Sequence, residues 1–357
     1  MRRSHRLPAA LTLLALASVG LASSGAGAAE VESIVFINGR PTHVYFNDGD
    51  SFRQLDGPWT GRGSRLGGFN TLESFGPTHA WGNWHPYELY INAKQATLNG
   101  RRGIWHCSTE GETDTYGRVL LDCPDLAIDQ ISKGLAHPMQ IDDTPTRPTY
   151  IRALREAIRH RRGMWAHGVP GFVLTSLHSA DEDPTRDVHY NRMVSTRDGH
   201  SEPWMHTDRY PECSWQCATE IQADETRVYA FARSLRADRE TAPVVADYGN
   251  QLLIELVDRY ARLGELPEYT PEEMATALEP RLQAARESGL LGETEEVLGA
   301  CMLYTAFTRR YGRERAPCLM GHGSRPPQLP YRPQPRVTPP GGLRGAAPLL
   351  PGQRGLL

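Results

Sequence analysis

After residue 30, apolar and polar residues alternate over short stretches, a pattern typical of half-buried strands. The stretches "VESIVFI", "THVYF" and "SFRQL" are separated by the turn-forming sequences "NGRP", "NDGD" and "DGPW". Residues 64–70 add one more short strand. "RGIWHC" and "RVLLDC", on either side of the polar "STEGETDTYG", predict a hairpin. This part of the chain is therefore predicted to contain a β-sheet.

Three later segments carry apolar residues at helical spacing: 84–97, 126–136 and 149–165. Strands followed by a helix, more strands and two helices are typical of an α+β domain around a β-barrel. Residue 166 ends this predicted domain, which begins at residue 30.

The remainder of the chain is predicted to have three parts. A polar extension covers 167–217. A mainly α-helical region covers 218–323, where "QLLIELVDRYARL" and "EEVLGACMLYTAF" have apolar stripes at helical spacing. The Pro- and Arg-rich residues 324–357 are predicted to be a disordered basic tail.

The first 28 residues are predicted to be a cleavable signal peptide. "MRRSHR" is a positive n-region, "LPAALTLLALASVGLA" is an apolar h-region, and "AGA" is a small-residue cleavage site. Because no later stretch approaches the length of a membrane span, we expect a secreted or periplasmic protein that does not cross a membrane.

Six cysteines follow the signal peptide, and an even number in an exported chain favours disulfides. Cys107 and Cys123 flank the predicted hairpin and are the favoured pair. We expect Cys213 and Cys217 each to bond elsewhere, with Cys301 and Cys318 as candidates.

A zinc site is the alternative for the extension, which also contains several potential ligands: His178, Glu182, His189, His200, His206, Cys213 and Cys217. Their spacings match no compact zinc motif. An extension held by disulfides is therefore preferred over a zinc site.

The charge is unevenly distributed. The whole chain has a formal net charge of −3, so overall basicity does not indicate nucleic acid. Residues 241–300 contain twelve acidic and four basic residues. This acidic helical region should not bind nucleic acid by itself, and we expect it to bind a protein partner or to cap the barrel. One hypothesis makes it the functional part of the chain, with the barrel as its scaffold.

The N-terminal domain contains the residue types that phosphodiester hydrolysis needs: a base for water and cations for the transition state. Arg65 and Glu73 lie eight residues apart in "SRLGGFNTLES", too far to be helix neighbours. They can meet at one end of a barrel if the strand between them curves and the chain then turns. Arg118 adds a second guanidinium, whose planar donors suit phosphate.

Several motifs together resemble the staphylococcal nuclease (thermonuclease) family, in its order and near its spacing: "NDGDSF" (47–52), "SRLGGFNTLES" (64–74), "TDTYGRVLL" (113–121), "KGLA" (133–136) and "GMW" (163–165). The resemblance covers about residues 32–166. It implies an OB-fold, a five-stranded β-barrel with three helices. It also implies a calcium site and the hydrolysis of DNA and RNA to products that end in a 3′-phosphate.

The resemblance assigns three catalytic residues. Arg65 binds phosphate, Glu73 is the general base, and Arg118 stabilises the transition state and protonates the leaving oxygen. Tyr116 corresponds to a tyrosine near the bound phosphate.

The resemblance also assigns the metal ligands: the side chains of Asp50 and Asn70 and the backbone carbonyl of Thr71, with Asp48 as a supporting acid. Asn70 departs from the family, which has an aspartate there. Because ligand charge tunes calcium affinity, Asn70 should weaken calcium binding, and Mg²⁺ or Mn²⁺ are alternatives. The alternative function is a catalytically weak or inactive OB-fold module that binds nucleic acid or a protein.

Overall fold

The computed structural model describes most of the chain after the predicted signal peptide: residues 33–75, 77–178, 190–205, 210–305, 309 and 315–319. All of these residues belong to one compact unit. The predicted signal peptide (1–28) and basic tail (324–357) lie outside the described residues.

Strands and helices both form, so the chain has the predicted mixed α+β character. The described strands are β1 Ser33–Ile37, β2 Arg40–Asp48, β3 Ser51–Gln54, β4 Gly63–Leu66, β5 Phe69–Thr71, β6 Thr78–Ala80, β7 Trp105–Cys107, β8 Val119–Leu121, β9 Ala136–Pro138, β10 Phe172–His178, β11 Tyr190–Ser195, β12 Ser201–Met205, β13 Trp215–Gln222 and β14 Glu295–Leu303. The described helices are α1 Pro86–Arg102, α2 Pro124–Ser132, α3 Pro148–Arg159, α4 Glu225–Ala237, α5 Ala242–Val245, α6 Asn250–Leu263 and α7 Glu272–Glu287.

The first sheet has six strands in the order β7-β1-β2-β3-β4-β8 and curls into a half-barrel. Burial alternates along β2, where Val44 and Phe46 are buried and His43 is exposed, as the sequence pattern predicts. In the described part of the chain, the outer strands β7 and β8 are joined by no ladder and are linked at one isolated bridge, Ser108 with Asp122. The sheet is therefore open, with one strand more than the predicted five-stranded barrel.

The predicted hairpin of "RGIWHC" and "RVLLDC" does not form a ladder, although the two segments meet antiparallel at the bridge of Ser108 with Asp122. β7 instead pairs parallel with β1, and β8 pairs parallel with β4. β7 and β8 are therefore the two edge strands of the curled sheet. The pair Cys107–Cys123 nevertheless forms a disulfide, as predicted.

Helices α1, α2 and α3 pack beside this sheet and confirm the three helices predicted for residues 30–166. A capping box begins α1: His85 Nδ1 accepts from the Tyr87 N–H at 3.2 Å, and the Glu88 carboxylate accepts from the His85 N–H at 3.1 Å. Sheet and helices share one core that contains these fully buried side chains: Phe46, Phe52, Leu66, Leu89, Ile131, Leu154 and Trp165.

The extension contains a second sheet, β10-β11-β12, in which neighbouring strands are antiparallel. A third sheet joins distant parts of the chain, since β14 lies between β13 and β6. Two further disulfides, Cys213–Cys318 and Cys217–Cys301, hold this region. Three disulfides fit an oxidising compartment.

The helix predicted within "EEVLGACMLYTAF" is wrong, because residues 295–303 form the strand β14. Short apolar runs do not distinguish a buried helix from a strand buried on both faces. Here long-range contacts decide: Cys301 is bonded to Cys217 on β13, and a Cβ added at Gly299 would lie 2.3 Å from Glu220 Oε1.

Helices α4 to α7 form a second apolar core, which confirms the helical character of residues 225–287. Its buried side chains include Val228, Leu235, Leu256, Leu278 and Leu282. Among the residues that the structure describes, no helix is both long enough and apolar enough to cross a membrane.

Candidate functional site

The Arg65 guanidinium lies at the centre of the candidate site. Its Nη1 donates to Asp50 Oδ1, and its Nη2 donates to Asn70 Oδ1 at 2.5 Å. The register of the β3–β4 ladder explains the first contact. Arg65 on β4 lies opposite Ser51 on β3, and Ser51 directly follows Asp50 in the sequence. Burial opposes the charge of Arg65, but the carboxylates of Asp50, Asp48 and Glu73 raise its pKa above the ordinary value.

Two glycines allow the chain to form this arrangement. Gly49, in the turn between β2 and β3, packs so closely on β5 that an added Cβ would lie 2.5 Å from Thr71 Cγ2. Gly68 has a φ of +81° in the turn between β4 and β5, a conformation that favours glycine. The two turns place Thr71 against Asp50, whose Oδ2 accepts the Thr71 N–H at 2.8 Å and hydroxyl at 3.2 Å.

A second carboxyl group, that of Asp48, lies beside Asp50. Its Oδ1 accepts from the Asp50 N–H at 3.2 Å and from the Ser51 hydroxyl at 2.6 Å. Burial, with the negative charges of Asp50 and Glu73, raises the pKa of Asp48 to about 8. Glu73 follows β5, is half-buried, and interacts electrostatically with both Asp48 and Arg65. Three carboxyl groups thus act electrostatically on Arg65.

The amide of Asn70 connects the site to neighbouring elements. Its Nδ2 lies 2.7 Å from the Thr71 carbonyl oxygen, 3.4 Å from His137 Nε2 and 3.3 Å from Thr175 Oγ1. His137 is the partner of Asn70 in the β5–β9 ladder, and burial lowers the pKa of its imidazole to about 4. The Asn70 side chain therefore acts as a hydrogen-bonding centre between Arg65 and a neutral histidine.

Arg118 lies just before β8, and its stem packs on Gly63 at the start of β4. Its guanidinium forms an ion pair with Asp114, with Nε 2.7 Å from Oδ2, and lies 5.4 Å from the centre of the Tyr116 ring. Burial raises the pKa of Asp114, but hydrogen bonds and the charge of Arg118 lower it overall. Asp114 also interacts electrostatically with Arg65. The Tyr116 side chain is exposed.

The structure thus brings together the residues predicted for catalysis and metal binding. Direct hydrogen bonds connect Asp50, Arg65, Asn70 and Thr71. Glu73 and Asp48 interact with Arg65 through space, and Arg118 and Tyr116 lie at the neighbouring turn. How these residues act chemically stays a prediction.

The predicted metal ligands are hydrogen-bonded to protein donors in this arrangement. Calcium takes six to eight oxygen ligands. Both Asp50 oxygens accept hydrogen bonds from Arg65 and Thr71, and the Asn70 oxygen accepts from Arg65. The Thr71 carbonyl accepts from the Asn70 amide. Within the described residues, no group of three or more His, Cys, Asp or Glu side chains could hold a metal. Binding of calcium, Mg²⁺ or Mn²⁺ by Asp50, Asn70 and Thr71 stays a prediction.

The disulfide-held extension, preferred over a zinc site, is confirmed, because Cys213 and Cys217 are both in disulfides. His200 instead lies between two acids, with Nδ1 2.5 Å from Asp198 and Nε2 2.8 Å from Glu202. The other potential ligands, Glu182, His189, His206 and the side chain of His178, lie outside the described residues.

Sequence reasoning missed two partners of the site. Asp114 could have been found, since it precedes Arg118 by four residues in the turn sequence "DTYGR". Thr175 gave no local signal, because its contact with Asn70 joins residues 105 positions apart.

Comparisons with known proteins give no further assignment: neither a family model nor a curated protein matches this chain.

Proposed function

We propose that this chain is an exported nuclease that hydrolyses phosphodiester bonds of DNA or RNA at the Arg65 site. The observation that supports this most is the clustering of one partly buried arginine with Asp48, Asp50 and Glu73, four residues from three segments of the chain. Ionisable groups with perturbed pKa values, as Asp48 and Arg65 have, are typical of functional sites. We also propose that the six-stranded half-barrel is an OB-fold of the staphylococcal nuclease type, which the motif order supports.

In the proposed reaction, the Glu73 carboxylate accepts a proton from water as the water oxygen forms a bond to phosphorus. The bond from phosphorus to the 5′-oxygen breaks, which leaves a 3′-phosphate. Arg65 and Arg118 stabilise the extra negative charge of the transition state, and Arg118 supplies the proton to the leaving oxygen. Loss of one such guanidinium contact commonly costs on the order of 3 kcal/mol in the barrier.

Both arginines are paired with carboxylates, Arg65 with Asp50 and Arg118 with Asp114. A phosphodiester must compete with these pairs, and this observation favours a second candidate function: a module that binds nucleic acid without cleaving it. A protein partner for the acidic helical region also stays a prediction.

Cleavage of plasmid and single-stranded DNA by the mature chain tests the first proposal. Glu73→Gln keeps the size of the side chain but removes the base, so we expect cleavage to fall at least 100-fold. Exposed Glu110 gives a matched control, since Glu110→Gln removes the same charge outside the site. Parallel reactions with calcium, magnesium, manganese or a chelator test the predicted metal dependence.

Equal cleavage by the native chain and Glu73→Gln would refute the assigned base. Absence of cleavage in every metal, with DNA binding retained, would instead support the binding module.

A further inference from the structure

The second sheet, β10-β11-β12, lies directly against the candidate site. The hydroxyl of Thr175, on β10, is 3.3 Å from the amide nitrogen of Asn70. The oxygen of the same Asn70 side chain accepts a hydrogen bond from Arg65. The face of the sheet that carries Thr175 is therefore the face toward Arg65.

Arg192 shares this face. It is the direct partner of Thr175 in the antiparallel β10–β11 ladder. Directly opposed residues project from the same face, with Cβ atoms about 4.5–5.5 Å apart. The next residue, Asn191, projects from the other face, where its Nδ2 lies 3.8 Å from Met302 Sδ on β14. Alternation along β11 thus directs Arg192 toward the site.

Electrostatics indicate the same position. Arg192 interacts with the like charge of Arg65 and with Tyr116, and it is partly buried. Burial lowers the pKa of Arg192, and the repulsion by Arg65 lowers it further. The repulsion between two nearby guanidiniums is offset when one anion, such as phosphate, binds both of them.

We propose that Arg192 is a third phosphate-binding residue, which the extension contributes to the Arg65 site. Its ligand is a phosphodiester of single-stranded nucleic acid, adjacent to the phosphate that Arg65 and Arg118 bind. This inference rests on the proposed function, because it assigns a substrate contact to the same site. It also gives residues 167–217 a direct role in substrate binding.

Binding of a fluorescent decanucleotide with phosphorothioate linkages, measured by anisotropy in chelator over a range of salt concentrations, tests the proposal. We expect Arg192→Gln to weaken binding about tenfold. The slope of log affinity against log salt should fall by about 0.7, the value for one lost contact with a single strand. Competition between inorganic phosphate and the decanucleotide distinguishes a site for free phosphate from a site for the nucleic acid strand.

Variants with matched charge make the result specific. Arg192→Lys keeps the charge and should keep the salt slope of the native chain. Arg233→Gln removes an exposed arginine from α4 and should change neither affinity nor slope. Thermal unfolding verifies that each variant folds. If Arg192→Gln does not fold, Arg192→Met replaces it, because methionine keeps the packing of the arginine stem.

The outcomes separate this inference from the proposed hydrolysis. Weaker binding by Arg192→Gln supports the third phosphate contact even if the native chain does not cleave DNA. Unchanged affinity and slope in Arg192→Gln would overturn it, even if the native chain cleaves DNA efficiently. A native chain that does not bind the decanucleotide would also overturn it.

Discussion

Two buried groups of charged residues differ in how their charges are balanced. The candidate site combines Arg65 with Asp48, Asp50 and Glu73. The second group, here called the His200 cluster, consists of Arg197, Asp198, His200, Glu202, Glu225, Asp258 and Arg262. In it, Arg197 Nη1 lies 2.6 Å from Asp258 and Arg262 Nε lies 3.0 Å from the same carboxylate.

The pKa values of the acids that contact His200 shift in the opposite direction to that of Asp48. Burial alone would lower the pKa of His200, but its bonds to Asp198 and Glu202 raise it to about 9. Hydrogen bonds from His200 likewise lower the pKa values of both acids, against the effect of burial. His200, Asp198 and Glu202 thus keep one another charged, whereas burial and the charge of Asp198 raise the pKa of Glu255 to about 8. At the candidate site, burial and like charges raise the pKa of Asp48 to about 8, which disfavours its charge.

This difference favours a structural role for the His200 cluster and the proposed functional role for the candidate site. The ion pair of Arg197 with Asp258 connects the extension to α6, where Asp258 and Arg262 lie. Unfavourable charge at the candidate site lowers stability and is typical of sites that bind or react.

His200→Ala should produce the largest loss of stability. It leaves Asp198 and Glu202 without their shared partner, and breaking a buried ion pair costs about 3–5 kcal/mol. Because the pKa of His200 is raised on folding, its contribution is complete below the unfolded value of about 6.5 and is lost as pH rises through about 9. Urea unfolding at pH 6 and pH 10 measures both effects.

His160→Ala is the matched control for this variant. His160 also contacts an acid, with Nε2 2.7 Å from Glu156, but half of its side chain is exposed. An exposed pair contributes little, so the loss should stay below about 1 kcal/mol. Equal losses in the two variants would contradict the structural role of the His200 cluster.

Asp48→Asn should have the opposite effect and stabilise the chain at alkaline pH. The folded pKa of about 8 exceeds the unfolded value, so the native chain loses stability as pH rises from about 4 to about 8. Asparagine keeps the acceptor oxygen for Asp50 and Ser51 but cannot ionise. At pH 8.5, in chelator, we expect a gain of about 2 kcal/mol in unfolding free energy.

The same measurement at pH 4 should show little difference between the native chain and Asp48→Asn. Asp247→Asn removes an exposed acid from the helical region and should be neutral at both pH values. A loss of stability in Asp48→Asn at pH 8.5 would show that the site favours the charged carboxylate.

The smallest effect is expected for Asp114→Asn. The retained oxygen can still accept from the Tyr116 and Arg118 N–H groups, and the lost ion pair involves an Arg118 that is more than a third exposed. Stability should change by less than about 1 kcal/mol. Affinity for the decanucleotide should rise two- to threefold in anisotropy titrations, because Arg118 no longer has a competing carboxylate.

Asp129→Asn is the control, since Asp129 also pairs with a cation four residues away, Lys133, at 2.7 Å. If it raises DNA affinity as much as Asp114→Asn does, the gain reflects net charge rather than Arg118.

Local sequence patterns predicted the helices α1 to α3, the alternating strands and the clustering around Arg65. They failed where distant contacts decide the structure. The strand β14 is determined by its position between β13 and β6, and β7 and β8 form their ladders with the parallel strands β1 and β4. The approach of Thr175 to Asn70 depends on how the second sheet packs, which no local pattern contains.

Hydrogen–deuterium exchange of the native chain, with and without the phosphorothioate decanucleotide, compares the two charged groups directly. If the Arg65 site binds phosphodiesters, peptides covering residues 48–50, 63–73 and 190–194 should exchange more slowly in its presence. Peptides covering 197–202, in the His200 cluster, should exchange at the same rate. Protection of the His200 cluster, with unchanged exchange around Arg65, would contradict the assignment of the candidate site.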